Sequence, residues 1–173
     1  MKKLVFILTI ATFAFSTQTT EAQKSKDIVD IAASMDDFST LVAAVKAADL
    51  VDALKGEGPL TVFAPNNAAF DKLPKGTVAT LLKPENKGAL TSILTYHVLA
   101  GKYTAADIVK SIKANGGGFM AKTLQGEAIY GELSGGNVIL TDSKGNKSKV
   151  IIADVMASNG VIHAIENVVM PKK

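Results

Sequence analysis

The chain has 173 residues, a formal net charge of +3 and no cysteine. All 19 of its basic residues are lysine, so no guanidinium is present to pair with a phosphate or a guanine through two parallel hydrogen bonds. No basic patch is interleaved with aromatic residues. The composition therefore gives no support to nucleic-acid binding. Without cysteine, the protein must be stabilised by packing alone and cannot carry a lipid on a thiol.

The first 22 residues have the three parts of a secretory signal peptide. Two lysines form a positive start, residues 4–15 carry no charge, and a small-residue cleavage site ends at Ala22. A helix over the apolar segment rises only about 18 Å, well short of a hydrocarbon core of about 30 Å, so we do not expect a membrane span. A buried N-terminal helix is the alternative interpretation. Cleavage of residues 1–22 would leave a short tail, residues 23–26.

Apolar residues recur at helical spacing through the first two-thirds of the chain. Asp37 is the candidate N-cap of the second helix, and Asn66 or Asn67 that of the helix after the first strand. Thr104 and Asp107 form a capping-box pattern, with aspartate in place of the usual glutamate or glutamine. The sequence predicts helices over residues 28–35, 38–45, 50–54, 67–71, 77–82, 84–94 and 104–112, and a strand over residues 60–64.

From Asn115 onward, turns that contain glycine recur at intervals of about 8 to 15 residues, which is typical of short antiparallel strands. Asn159-Gly160 is predicted to be a type I′ turn, in which both residues need a positive φ. No internal repeat or linker divides the chain, so residues 27–171 are predicted to form one α+β domain of helices packed against a mostly antiparallel sheet. The predicted strands cover residues 119–124, 128–133, 138–141, 149–155 and 161–165.

His97 and His163 are the only histidines, and neither has a second metal ligand at zinc-binding spacing. Both lie among apolar residues, which favours buried imidazoles with a structural hydrogen bond. Asp154, Ser158 and His163 can be drawn as a triad, but they are too close along one strand-turn-strand to converge easily, and no nucleophile elbow is present. We therefore predict no catalytic residue, no cofactor and no metal.

Three sequence features together resemble the fasciclin family of secreted adhesion domains. They are TVFAPNNAAF, which begins at Thr61 and ends at Phe70, the dipeptide Tyr96-His97, and NGVIHAIENVVMP, which runs from Asn159 to Pro171. The resemblance extends from about Asp27 to Pro171. It implies a wedge-shaped β-sandwich of mostly antiparallel strands flanked by short α-helices. Fold maintenance is the expected role of these motif residues: Thr61, Val62, Phe63, Ala64, Pro65, Asn66, Phe70, Asn159, Gly160, Val161, Ile162 and His163.

The resemblance also implies where a partner would bind. In adhesive fasciclin domains an Asp-Ile pair and the Tyr-His dipeptide are proposed integrin contacts, and they correspond here to Asp154-Val155 and Tyr96-His97. Val155 stands where the family favours isoleucine. The exposed parts around Tyr96 and around Asp154-Val155 are the expected contact surfaces, with Asp154 supplying charge and the neighbouring apolar groups supplying burial.

The leader and the absence of cysteine resemble a secreted bacterial member of the family. We therefore expect a non-enzymatic module for cell adhesion or matrix interaction, exported to the periplasm or the medium. Its partner would be a cell-surface or matrix protein or a polysaccharide, and no sequence feature specifies an oligomer. A protein that binds a small apolar ligand between its layers is the alternative, and an enzyme with an unrecognised site is the third hypothesis.

Overall fold

The computed structural model describes residues 26–172, so the predicted signal peptide, residues 1–22, lies outside the described residues. Seven α-helices and two 3₁₀ turns, Asp36–Phe38 and Pro84–Asn86, occupy the described part of the chain, with most of the helices before the main run of strands. The helices are α1 (Ile28–Ala33), α2 (Ser39–Ala47), α3 (Val51–Lys55), α4 (Asn67–Asp71), α5 (Thr77–Leu81), α6 (Lys87–Tyr96) and α7 (Ala105–Ala114). No helix within residues 26–172 has both the length and the apolar character that crossing a bilayer requires.

The strands form one seven-stranded sheet in the order β2-β1-β7-β6-β5-β4-β3. Only β1 and β7 pair in parallel, and the other neighbours are antiparallel, as predicted. A bridge between Leu99 and Thr123 brings the two ends of the sheet together, so the sheet nearly closes on itself. The strands are β1 (Leu60–Pro65), β2 (Val98–Ala100), β3 (Gly118–Lys122), β4 (Ala128–Ser134), β5 (Asn137–Thr141), β6 (Lys147–Ala157) and β7 (Gly160–Ile165).

Two apolar cores lie on opposite sides of the central strands β1 and β7. Every residue of both strands is buried, which explains why their sequences are almost continuous apolar runs. Along β7, Ile162 and Ala164 pack in the core beneath the N-terminal helices. Ile165 belongs to the second core, inside the curved sheet, where α7 contributes Ile108 and Ile112. The domain is thus an α+β structure with helices against one face and one helix inside the curve.

Two of the three predicted helix caps are correct. The Oδ1 atom of Asn66 accepts a hydrogen bond from the Ala69 N–H at 2.9 Å, and Thr104 and Asp107 form a complete capping box at the start of α7. The prediction for Asp37 is wrong, because this residue lies inside a 3₁₀ turn. A distant residue serves α2 in its place: the Oδ1 atom of Asn67 accepts from the Thr40 N–H at 3.0 Å.

The predicted type I′ turn at Asn159-Gly160 is wrong. The loop between β6 and β7 is Ser158-Asn159, and Gly160 is already paired with Ala157. Neither Asn159 nor Gly160 has a positive φ. Gly160 is needed for a different reason, because a Cβ atom there would lie 2.0 Å from the carbonyl oxygen of Leu60 on the parallel strand β1.

Candidate interaction surface

Most residues of the two long motifs are buried. The Thr61 hydroxyl donates to the Gly101 carbonyl at 2.7 Å and accepts from the Tyr103 N–H at 2.9 Å, so this buried polar side chain is fully satisfied. The other buried motif residues provide apolar packing or close backbone approach: Val62, Phe63, Ala64, Pro65, Phe70, Gly160, Val161 and Ile162.

Asn159 ties the β6–β7 loop to the helical layer. Its Oδ1 atom accepts from the Ile28 N–H at 3.0 Å, and its Nδ2 atom donates to the carbonyls of Leu54 at 2.8 Å and Gly56 at 3.1 Å. These partners lie at the start of α1 and the end of α3. The side chain therefore hydrogen-bonds backbone groups at two helix ends. Such terminal groups have no partner within their own helix and would otherwise have to be hydrogen-bonded by water.

His97 is a buried neutral imidazole. Its Nδ1–H donates to the Ile93 carbonyl at 2.8 Å, and its Nε2 atom accepts from the Val169 N–H at 3.3 Å. Burial lowers the pKa of His97 from 6.5 to about 4, despite opposing contributions from the Ile93 hydrogen bond and the Asp142 charge. The side chain thus fastens the C-terminal segment to α6 only while it is uncharged.

Tyr96 is also buried, with 0% of its surface exposed. Its hydroxyl donates to the Ala128 carbonyl at 2.9 Å and accepts from the Ser143 N–H at 3.0 Å. The expectation that Tyr96 belongs to an exposed contact surface is therefore wrong. The aromatic ring fills the second core, and the hydroxyl has two internal partners, so neither Tyr96 nor His97 presents a side chain to a partner in this fold.

His163 uses both ring nitrogens inside the protein. Its Nε2–H donates to the Tyr103 carbonyl at 2.8 Å, and its Nδ1 atom accepts from the Asp154 N–H at 3.2 Å. Burial lowers the pKa of His163, against smaller raising effects of the Tyr103 hydrogen bond and the Asp154 charge. Neither nitrogen is left for Ser158, so the drawn triad is not formed. Within residues 26–172, no group of three His, Asp or Glu side chains is placed to hold a metal ion.

Asp154, by contrast, is exposed. Its φ is +60°, and it lies at a register shift of β6 between Ile152 and Val155. Its Oδ1 atom accepts from the Ala105 N–H, the first amide of α7, at 2.8 Å. A carboxylate is stabilised there by the positive end of the helix dipole. The backbone contact to His163 and this side-chain contact together hold Asp154 in place.

Exposed apolar residues lie close to Asp154 along β6. Ile151, Ile152 and Met156 are 42%, 43% and 49% exposed, whereas the half-buried Val155 packs against the helix-side core. Strand β6 pairs with β5 only through residues 147–149, so its outer edge has no strand partner over residues 150–157 within the described chain. We call Ile151, Ile152, Asp154 and Met156 the β6 surface.

The three apolar members of the β6 surface were not named among the residues predicted from the sequence. The signal was present in the segment from Val150 to Ala157, where apolar residues do not alternate with polar ones. Such a run suits a strand buried on both faces. Here β6 has no strand partner on its outer edge beyond Lys149 and contains a bulge. Side chains that would be buried in a central strand are therefore exposed to solvent.

Comparison with known proteins assigns the fold to a family. The model of the Fasciclin domain matches residues 36–171. The structure of a FAS1 domain pair from the insect cell adhesion molecule fasciclin I superposes with a TM-score of 0.73 at 22% identity, over 82% of this chain and 50% of that chain. This likeness confirms the predicted fold class. The chain belongs to the fasciclin domain family.

Relatives in the family come from bacteria and animals. Protein sll1483 of Synechocystis sp. is 55% identical over 144 residues, which cover 83% of this chain and 73% of the relative. The immunogenic protein MPB70 of Mycobacterium bovis is 37% identical over 153 residues, 85% of this chain and 70% of the relative. Pig transforming growth factor-beta-induced protein ig-h3 is 39% identical over 144 residues, which are 83% of this chain but 19% of that protein.

Proposed function

We propose that the protein is a secreted, non-enzymatic adhesion module that contacts a cell-surface or matrix component through the β6 surface. One observation carries the proposal: a carboxylate, Asp154, is held at a positive φ on an open strand edge, where the apolar residues Ile151, Ile152 and Met156 are exposed. Protein interfaces of modest size combine apolar side chains that become buried on binding with a charge that selects the partner.

The strain at Asp154 supports a functional role. A positive φ is uncommon for a non-glycine residue, although aspartate adopts it more readily than most, and within residues 26–172 Asp49 also has one. Such conformations persist where the surroundings over-determine them, often at ligand contacts. Here the backbone N–H binds His163 and the carboxylate binds the start of α7. A glycine would remove the strain. Retaining aspartate keeps a charge fixed on the β6 surface.

The adhesive interpretation also agrees with the family. The structural neighbour described above comes from an insect cell adhesion molecule. At 22% identity, its similarity supports the fold and not the function. We further propose that residues 1–22 are a signal peptide and that residues 27–171 are exported as a single domain to the periplasm or the medium. Export places the β6 surface where it meets surface or matrix components.

The alternative, a small apolar ligand between the layers, has less support. A cavity lined by apolar side chains of α1, α2, α3 and the central strands measures only about 30 Å³. That is room for a few water molecules at most, whereas ligand pockets measure about 300–1,000 Å³. A ligand would have to push the helices away from the sheet, whereas a partner at the β6 surface requires no such rearrangement.

Substitutions at the β6 surface test the adhesive function. Asp154→Asn keeps an amide oxygen for the Ala105 N–H and tolerates a positive φ, so only the charge is removed. Ile152→Ser removes apolar area without touching Asp154. The matched controls are Asp52→Asn, at an exposed acid of α3, and Leu124→Ser, at an apolar residue that is 50% exposed elsewhere.

The measurement is attachment of the producing cells, or of their isolated surface material, to immobilised exported protein. We expect each β6-surface variant to weaken attachment by about fivefold, corresponding to roughly 1 kcal/mol, and both controls to attach like the parent. If Asp154→Asn and Ile152→Ser fold normally and attach as well as the parent, the β6 surface is not the adhesive site.

A further inference from the structure

A second exposed surface lies on the outer face of strands β3 to β6. Outward and inward residues alternate along these strands: Phe119, Ala121, Ile129 and Leu140 point into the core and are buried. The strand registers place Met120 opposite Tyr130, Tyr130 opposite Thr141, and Thr141 opposite Lys147. A parallel row runs through Glu132, Ile139 and Lys149. We call the outward residues Met120, Lys122, Tyr130, Ile139, Lys147 and Lys149 the outer sheet face.

An aromatic ring and three ammonium groups dominate this face. Tyr130 is 48% exposed and Met120, directly opposite it, is 67% exposed. Because Lys122 pairs with Ala128, it is a diagonal neighbour of Tyr130, within about 7–8 Å. Lys147 lies two strands from Tyr130, which is about 10 Å. The helices do not cover the face, since α7 packs on the inner side of β3 and β4.

The positive charge of the face is only partly neutralised. Glu132 accepts a hydrogen bond from the Lys147 ammonium at 2.6 Å, yet the Lys147 side chain is 61% exposed. Within residues 26–172, Lys122 and Lys149 form no salt bridge. Glu127, the other carboxylate at this end of β4, binds the Lys172 N–H. An anion at the outer sheet face could therefore pair with the ammonium groups of Lys122 and Lys149 without displacing a carboxylate from a salt bridge.

We propose that the outer sheet face binds an acidic polysaccharide, a polymer whose sugar units carry carboxylates. The exposed Tyr130 ring provides a flat apolar platform for one sugar ring, with its hydroxyl in water. Lys122 on one side and Lys147 and Lys149 on the other are placed to pair with carboxylates of neighbouring units along the same chain. Lysine suits a flexible polymer, because its ammonium is a point charge without a fixed fork geometry.

The character of the face favours a polysaccharide over a folded protein. Protein interfaces of standard size bury about 800 Å² per partner around an apolar centre. The outer sheet face has only two strongly exposed large apolar side chains, Met120 and Tyr130, and they lie among lysines. Each single contact is weak, since an exposed ion pair is screened by solvent and contributes little. A repeating polymer compensates, because many equivalent segments compete for the same site and one chain can hold several copies of the protein.

This inference rests on the proposed adhesive function and extends it. The β6 surface would hold one partner and the outer sheet face would hold an acidic polymer, so one domain could bridge two components of a cell surface or matrix. The two sites are separable by experiment, because a purified polymer tests the outer sheet face without the partner of the β6 surface.

The test is titration of the exported protein with polygalacturonate at low salt, with neutral dextran as the control polymer. We expect binding to polygalacturonate only, weakened by added NaCl because exposed charges are screened. Tyr130→Ala should weaken binding about tenfold, and Lys122→Gln and Lys149→Gln about threefold each. Lys75→Gln, at an exposed lysine after α4, is the matched control and should bind like the parent.

Each alternative result has a definite meaning. Absence of polygalacturonate binding overturns the proposal, as does equal binding to dextran or binding that none of the face variants weakens. Binding to phosphatidylglycerol vesicles without binding to the polymer would assign the face to a lipid surface instead. If polymer binding follows the prediction while Asp154→Asn leaves attachment unchanged, the adhesive role of the β6 surface fails and the polysaccharide site stands.

Discussion

Lowering the pH should destabilise the protein before its carboxylates titrate, because of His97. The pKa of this side chain is about 4 in the folded protein, against 6.5 for an unperturbed histidine. Between these values the unfolded chain binds more protons than the folded protein, so the free energy of unfolding falls as the pH falls. The contribution of His97 is complete at pH 7 and above, and it is lost as the pH drops toward 4.

The two pKa values set the magnitude. From pH 7 to pH 5, His97 alone should remove about 2 kcal/mol from the free energy of unfolding, and by pH 4 about 3 kcal/mol. His163 acts in the same direction, since burial also lowers its pKa. Carboxylates with lowered pKa values, such as Asp30 and Asp107, contribute mainly below pH 4. The window from pH 7 to pH 5 therefore reports the histidines.

Urea unfolding at pH 7, 6 and 5 measures this effect. The matched variants are His97→Gln and His163→Gln, each of which removes one titrating group. His97→Gln lowers stability at every pH, but the difference between pH 7 and pH 5 should shrink by about 2 kcal/mol. A parent protein that is equally stable at pH 5 and pH 7, or a His97→Gln variant that keeps the full pH dependence, would refute the assignment of a buried neutral imidazole.

Substitutions at three motif residues, each measured by denaturant unfolding, test the structural roles of these residues. Asn159→Ala should lower the free energy of unfolding by about 3 kcal/mol, because three backbone groups lose their partner. Asn159→Asp keeps the hydrogen bond from the Ile28 N–H and should lower the free energy of unfolding by less. Equal losses for the two variants would contradict these roles. Gly160→Ala should cost about 3 kcal/mol or more, since its Cβ atom would clash with Leu60; a near-neutral result argues against close strand contact. Tyr96→Phe should cost about 1–2 kcal/mol, and no loss would mean that water replaces the hydroxyl.

Local sequence signals predicted much of the fold. Asn66 and the Thr104–Asp107 pair cap helices through residues three positions away, so their patterns are visible in short windows. The almost continuous apolar character of β1 and β7 likewise follows from burial on both faces. The sequence therefore predicted all seven helices and six of the seven strands of residues 26–172 to within a few residues, together with the class of fold, without any long-range contact; the short strand β2 was not predicted.

Long-range contacts explain the failures. Asn159 contacts Ile28 at a separation of 131 residues, so no local pattern distinguishes its bridging role from a turn role. The amide at the start of α2 is hydrogen-bonded by Asn67, which lies in α4, and not by the predicted cap Asp37. Tyr96 carries a hydroxyl that favours a surface position, and only the fold supplies the Ser143 and Ala128 partners that make its burial possible.

The candidate site was predicted in part. The family resemblance pointed to Asp154, and the structure adds the positive φ, the helix-end contact and the exposed apolar neighbours. Those features depend on where β6 leaves β5 after Lys149. Strand pairing of this kind is a property of the whole sheet, so the β6 surface becomes visible only in three dimensions.

Hydrogen exchange of the exported protein, free and bound to the surface material of the producing cells, tests the central claim most directly. The β6 edge beyond Lys149 has no strand partner in the described chain, so its outward amides should exchange rapidly in the free protein. We expect binding to slow exchange across residues 150–157. Protection confined to the helical layer, with residues 150–157 unchanged, would contradict an adhesive role for the β6 surface.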